Sequence, residues 1–160
     1  QVGSELLAVQ TLRNSLMSAT MIASTAAIGL MGAASLVSTS LQPTLQEGSL
    51  WLHATPRLAM ELLLMVTLFA SLVYSVMAVR YYNHAGFIVG MPVGSAQRGV
   101  WAASGAVYVR RAGLLYGWGL RHLVLVAPML GFIVHPLAGP VAAVMVVVAL
   151  WGFDRLAPAH

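Results

Sequence analysis

The chain of 160 residues is 59% hydrophobic and 8% charged, against about 25% charged residues in a soluble domain. So few charges cannot clothe a soluble fold, whereas lipid accepts apolar outward faces, and the composition predicts an integral membrane protein. Eight arginines and no lysines stand against four carboxylates, for a net charge of +4; the arginines fall at the ends of apolar runs, as in membrane topology signals and unlike a nucleic-acid surface, and with no cysteine disulfide, thiolate and zinc–thiolate chemistry are excluded.

In chain order, Leu6, Leu7, Val9 and Leu12 around Glu5 and Arg13 predict a short amphipathic helix on the inner membrane surface. Asn14 to Val37 is the first candidate span, since about 20 mostly apolar residues cross a bilayer. It is rich in small residues. Ser15, Ala19, Ala23 and Ala27 recur every four positions, with Thr25, Gly29 and Ala33 as a second row, which predicts a helix-packing face. Residues 38–56 are polar, contain the breakers Pro43, Gly48 and Pro56, and read as a loop.

Leu58 to Val79 is the second span. Glu61 is its one carboxylate. It is either an i,i+4 partner of Arg57 near the outer headgroups or a group that handles an ion or proton. Residues 80–111 carry Arg80, Arg98, Arg110 and Arg111, and are expected to form the cytoplasmic connection. Asn83 or Gly86 is expected to end the second helix. Gly86, Gly90 and Gly94, spaced by four, suit close helix packing or a re-entrant turn ended by Pro92, not a phosphate loop, which would follow a strand. Trp101 and Tyr108 mark residues 97–111 as an interfacial helix. Ala112 to Val134 is the third span, the "HPLAGP" of residues 135–140 a tight turn, and Leu137 to Phe153 a short, almost wholly aliphatic fourth span. The fold expected is all-α: one transmembrane domain of four spanning helices with short interfacial ones. Arginine counting places both ends of the chain on the cytoplasmic side, with Arg57 as the exception.

Few residues suggest a site. Arg80, Asn83, His84 and Arg121 fall on the predicted cytoplasmic side. They are either headgroup anchors around a helix end or a cationic pocket for an anionic lipid headgroup or small anion. Arg121 itself either snorkels to the inner surface or bonds to a neighbouring helix. His122 and His135 are further intramembrane polar groups, at depths too different to share a haem. His53 and His135 are both outer and are the one pair that a metal would suit, without identifiable supporting residues. No nucleophile–base pair, phosphate loop or zinc-protease motif is present, so no catalytic residue, cofactor or metal site is expected.

The order "LRNSLMSATMIASTAAIGLMGA", "VRYYNHAGFIVGMP", "GLR" and "HP" resembles the bacterial and plant membrane family DUF599, over about Leu12 to Phe153. The residues that carry the resemblance are Arg13, Ser24, Thr25, Arg80, Asn83, Gly90, Pro92, Gly119, Leu120, Arg121, His135 and Pro136. It implies a membrane fold of several helices, usually with one more apolar segment upstream than this chain has, and it implies no activity. The expected function is therefore that of a non-catalytic structural or accessory subunit of a membrane complex, or of a homo-oligomer. A small-solute or ion transporter or channel is the alternative, and a haem- or metal-binding membrane protein the third. Membrane lipids, further copies or other membrane subunits are the expected partners, and nucleic acid is not. An Ala-, Gly- and Arg-rich chain without Lys suits a GC-rich bacterium and its inner membrane.

Overall fold

The computed structural model describes residues 2–46 and 55–156. They form four helices in sequence, α1 (Val2–Gln46), α2 (Pro56–Val89), α3 (Ala96–Val134) and α4 (Ala138–Leu156), and no strand occurs among the described residues. The all-α expectation holds. α1, α2 and α3 are each long and apolar enough to cross a membrane, whereas the apolar part of α4, Ala138–Gly152, is short. The 19 residues of α4 rise about 28 Å, just under a hydrocarbon core of ~30 Å.

Local chemistry sets the helix ends. Thr55 caps α2, its Oγ1 accepting from the Leu58 N–H at 3.2 Å, and Pro56 occupies the first helical position, where its missing N–H costs nothing. Ser95 caps α3 in the same way, accepting from the Arg98 N–H at 3.2 Å. Between α2 and α3 the chain turns in residues 90–95, where Gly94 has φ +80°, a conformation that a Cβ disfavours. The α3–α4 turn is tighter. A Cβ on Gly139 would lie 2.7 Å from Phe132 Cβ, and one on Gly131 would lie 3.1 Å from the Ala138 carbonyl oxygen.

The helices outrun the apolar segments from which they were predicted. Residues 2–13 continue into α1 and do not form a separate surface helix. Residues 38–46 extend α1, with Pro43 inside the helix; the rest of the expected loop, residues 47–54, lies outside the described residues. Residues 80–111 are two helical arms and a short turn. Asn83 and Gly86 are internal to α2, which ends at Val89. The physical reason is that a change from apolar to polar side chains alters which surroundings suit a helix but not its backbone preference. Polar residues in these stretches also bond to their own helix, as Thr39 Oγ1 does to the Ser35 carbonyl at 3.0 Å.

The chain forms two compact units. Unit 1 is residues 1–26 with 70–120, and unit 2 is residues 27–69 with 121–160. The core of unit 1 is Ala19, Ala78, Tyr82 and Ala112, with Leu12, Leu16 and Leu115 packed around it. That of unit 2 is Ala33, Leu64 and Leu68, with Leu123, Val126 and Met129. α1 buries Ala19, Ala26 and Ala33, and α3 buries Gly105, Ala112 and Gly119. Both sets recur every seven residues. α2 alternates steps of four and three through Leu64, Leu68, Ser71, Ser75, Ala78, Tyr82 and Ala85. A seven-residue seam drifts about 20° per repeat around a helix of 3.6 residues per turn, whereas a four-residue row winds about 40° at each step. The predicted four-residue rows therefore share only some members with the buried face: Ala19 and Ala33 are on it, Ala23 and Ala27 are half-buried, and Thr25 is exposed.

Candidate functional site: a basic level in unit 1

Unit 1 holds its three helices in one antiparallel register. On the α1 side, Ser15 lies beside Tyr82, and Leu12 lies beside Gly86. On the α3 side, the Tyr108 ring centroid is 5.9 Å from that of Tyr81 and 5.7 Å from that of His84. Tyr74 meets Trp118 at 6.4 Å. Ser71 Oγ donates to the Gly119 carbonyl at 2.8 Å, and Ile88 fills the space beside Gly105.

That register brings Arg80, Arg110 and Arg111 to one level, with Arg13 about one helical turn nearer the α2–α3 turn. All four are exposed. The segments that compose unit 1 carry five arginines, these four and Arg98, against a single carboxylate, Glu5; those of unit 2 carry Arg57, Arg121 and Arg155 against Glu47, Glu61 and Asp154. The whole net charge of the chain therefore belongs to unit 1.

Two clefts of unit 1 reach this level. One, of about 550 Å³ between α1 and α2, has Arg13 and Asn83 on its rim over Leu12, Tyr82 and Phe87. The other, of about 410 Å³ between α2 and α3, is lined by Tyr74, Tyr81, Arg111, Leu114, Leu115 and Trp118. Unit 2 has an almost wholly apolar cleft of about 310 Å³, lined by residues including Met60, Leu63, Pro128 and Phe132.

Of the residues singled out in the sequence, Arg80, Asn83 and His84 lie on α2 in unit 1, all exposed, and Arg121 lies on α3 in unit 2, also exposed. Asn83 joins Arg13 in the first cleft, and His84 packs on Tyr108. Arg13, Tyr74, Tyr81, Arg111 and Trp118 were not read as site residues. The signal that finds them is the antiparallel register, which pairs positions around 80 of α2 with positions around 110 of α3.

Glu61 belongs to unit 2. Its Oε1 accepts from Arg57 Nε at 3.0 Å, the i,i+4 pair that the spacing predicts, but the two ends differ: Arg57 is 62% exposed and Glu61 1%. Glu61 Oε2 is buried and has no hydrogen-bond partner among the described residues. His122 is half-buried in unit 2. His135 is exposed, and its Nδ1 accepts from the Leu137 N–H at 3.3 Å, a contact at the start of α4. No three His, Cys, Asp or Glu side chains gather among the described residues. His53 and His160 lie outside them.

A family model described as "Protein of unknown function, DUF599" matches residues 2–159. No curated protein and no solved structure matches the chain.

Proposed function

We propose, from the fact that this chain belongs to the DUF599 family of proteins of unknown function, that it is a non-catalytic multi-pass membrane protein that works by lateral association. It acts as a structural or accessory subunit of a membrane complex, or as a homo-oligomer. The observation that carries this reading is on α3. Gly113 and Gly117 are four residues apart, and a Cβ at either would meet nothing within 4 Å. Small residues so spaced let a second helix approach closely in lipid, where burial of apolar surface gives no drive to associate. The closed interior agrees. The buried polar side chains among the described residues are Glu61, Thr67, Ser71 and Ser75. Two of these hydroxyls are engaged with backbone carbonyls, Thr67 with Leu63 and Ser71 with Gly119. Little remains to line a solute path.

In this reading the protein sits in a bacterial inner membrane with the α2–α3 hairpin and both termini cytoplasmic. The charge excess of unit 1 supports that orientation. So does the spacing of Arg57 and Arg80 on α2, which span about 35 Å of helix, close to a bilayer's ~30 Å hydrocarbon core. One observation favours a second reading as an ion or proton carrier, the unpartnered buried oxygen of Glu61.

Purification in native nanodiscs, followed by mass spectrometry of what co-purifies, tests the proposal. Stoichiometric foreign membrane subunits, or a homo-oligomer that Gly113→Leu with Gly117→Leu dissociates, support it. A monomer without partners, indifferent to those substitutions, overturns it. A pH-driven ion flux in proteoliposomes that Glu61→Gln abolishes would establish the second reading.

A further inference from the structure

We propose that the α2/α3 cleft of unit 1 binds one anionic phospholipid, with its phosphate on Arg111 and Tyr81 and an acyl chain along Leu114 and Leu115 toward Trp118. The inference rests on the membrane reading above but is independent of the protein's partners.

The cleft is graded from polar to apolar. Arg111, Leu114, Leu115 and Trp118 occupy positions i, i+3, i+4 and i+7 of α3 and so form one face. Tyr81 and Tyr74, seven residues apart on α2, form the opposite wall. By register, Arg111 and Tyr81 belong to one end. About 10 Å along the helix axis, the other end is the Tyr74–Trp118 contact. A phospholipid has the same grading, a charged phosphate and then hydrocarbon. A guanidinium fork matches two phosphate oxygens and a tyrosine O–H donates to a third.

Depth and charge agree with that occupant. Arg80 closes the apolar run of α2, and the register places Arg111 level with it, where headgroups lie. Trp118 is then among acyl chains. Arg80 and Arg110 share the level, Arg13 lies about one turn nearer the α2–α3 turn, and Glu5 is the one carboxylate in the segments of unit 1. The field at the mouth therefore favours an anionic lipid over a zwitterionic one. The leucines beyond Arg111 offer no donors to the remaining oxygens of a free phosphate ion, so the lipid is the better match.

Arg110 supplies an internal control. It is adjacent, equally charged and exposed, but it does not line the cleft. The test uses the full chain with Trp51, Trp101 and Trp151 replaced by Phe, which leaves Trp118 as sole reporter, in phosphatidylcholine nanodiscs containing a minor share of acyl-brominated lipid. Brominated phosphatidylglycerol should quench Trp118 about fivefold more efficiently than brominated phosphatidylcholine at equal content, the factor expected from one arginine at an anionic surface. Arg111→Gln should bring the ratio close to one, whereas Arg110→Gln, which weakens only the shared field at the mouth, should lower it much less. Arg111→Lys, which keeps the cation, should retain most of it, with circular dichroism confirming the helical fold of each variant. Equal quenching by the two lipids in the otherwise unaltered chain, a preference that survives Arg111→Gln, or equal losses in Arg110→Gln and Arg111→Gln would each overturn the site alone. Displacement of the quencher by inorganic phosphate would assign the cleft to a free anion and overturn the lipid. Trp118 quenched by neither lipid would overturn the membrane reading as well.

Discussion

At Gly119 an added Cβ would lie 2.6 Å from Ser75 Oγ, the nearest backbone atom being the Ser71 carbonyl oxygen at 3.4 Å. The obstacle is thus one hydroxyl, and that hydroxyl is buried without a partner among the described residues. Gly119→Ala should destabilise the bundle by about 1 kcal/mol, and by less than about half of that in a Ser75→Ala background, because the second substitution removes both the clash and a buried unsatisfied group. Reversible unfolding in mixed micelles measures this coupling; additive effects would contradict it. The Arg57–Glu61 pair follows related logic. Arg57→Leu strips the buried carboxylate of its one observed ion partner and should cost about 2 kcal/mol, less than a fully buried pair because Arg57 is mostly exposed. Arg57→Leu with Glu61→Leu should recover most of that loss. A double variant as unstable as the single one would mean that Glu61 has a role in the fold beyond this pair.

Along each helix, the seven-residue seam decides which small residues matter. Ala112 is fully buried, whereas its neighbour Gly113 faces open space. Ala112→Leu should destabilise the chain by about 2 kcal/mol through overpacking. Gly113→Leu should leave the monomer's stability intact and register only in its association, so parallel unfolding and cross-linking assays separate the two. In the α2–α3 turn, Gly94→Ala meets no neighbour but must hold φ near +80°, and should cost about 1 kcal/mol from backbone strain alone. The existence and order of the four helices could be read from apolar run lengths, because a helix that is apolar on most of its faces is a composition signal. The helix ends could not. Asn83, Gly86 and the stretch 38–46 look like breakers by residue type, yet a helix that is already nucleated and tied to its neighbours runs on through them. The packing face was only partly captured, for a geometric reason: over a helix of 45 residues, only a period near 3.5 keeps neighbours in contact, and four-residue rows turn away.

At the scale of the molecule, charge is the most legible feature. Counting arginines identified residues 80–111 as the basic part of the chain, and that part forms most of the excess of unit 1. The individual site residues were harder to read. Arg80 and Arg111 lie far apart in sequence, and only the antiparallel register, set by contacts such as Ser71 with Gly119 and Tyr81 with Tyr108, shows them to be level. Because the chain contains no cysteine, single-cysteine reporters can be placed without prior substitutions. Val93 in the α2–α3 turn and Val76 on α2 are of one residue type and are both well exposed, at 65% and 50%. The most direct test of the membrane account is labelling of Val93→Cys and Val76→Cys by a membrane-impermeant maleimide in right-side-out and inside-out vesicles. The account predicts that Val93→Cys reacts only in inside-out vesicles and that Val76→Cys, covered by lipid and not by protein, reacts in neither. Labelling of Val93→Cys in right-side-out vesicles would contradict the orientation, and labelling of Val76→Cys at the rate of Val93→Cys would contradict membrane embedding itself.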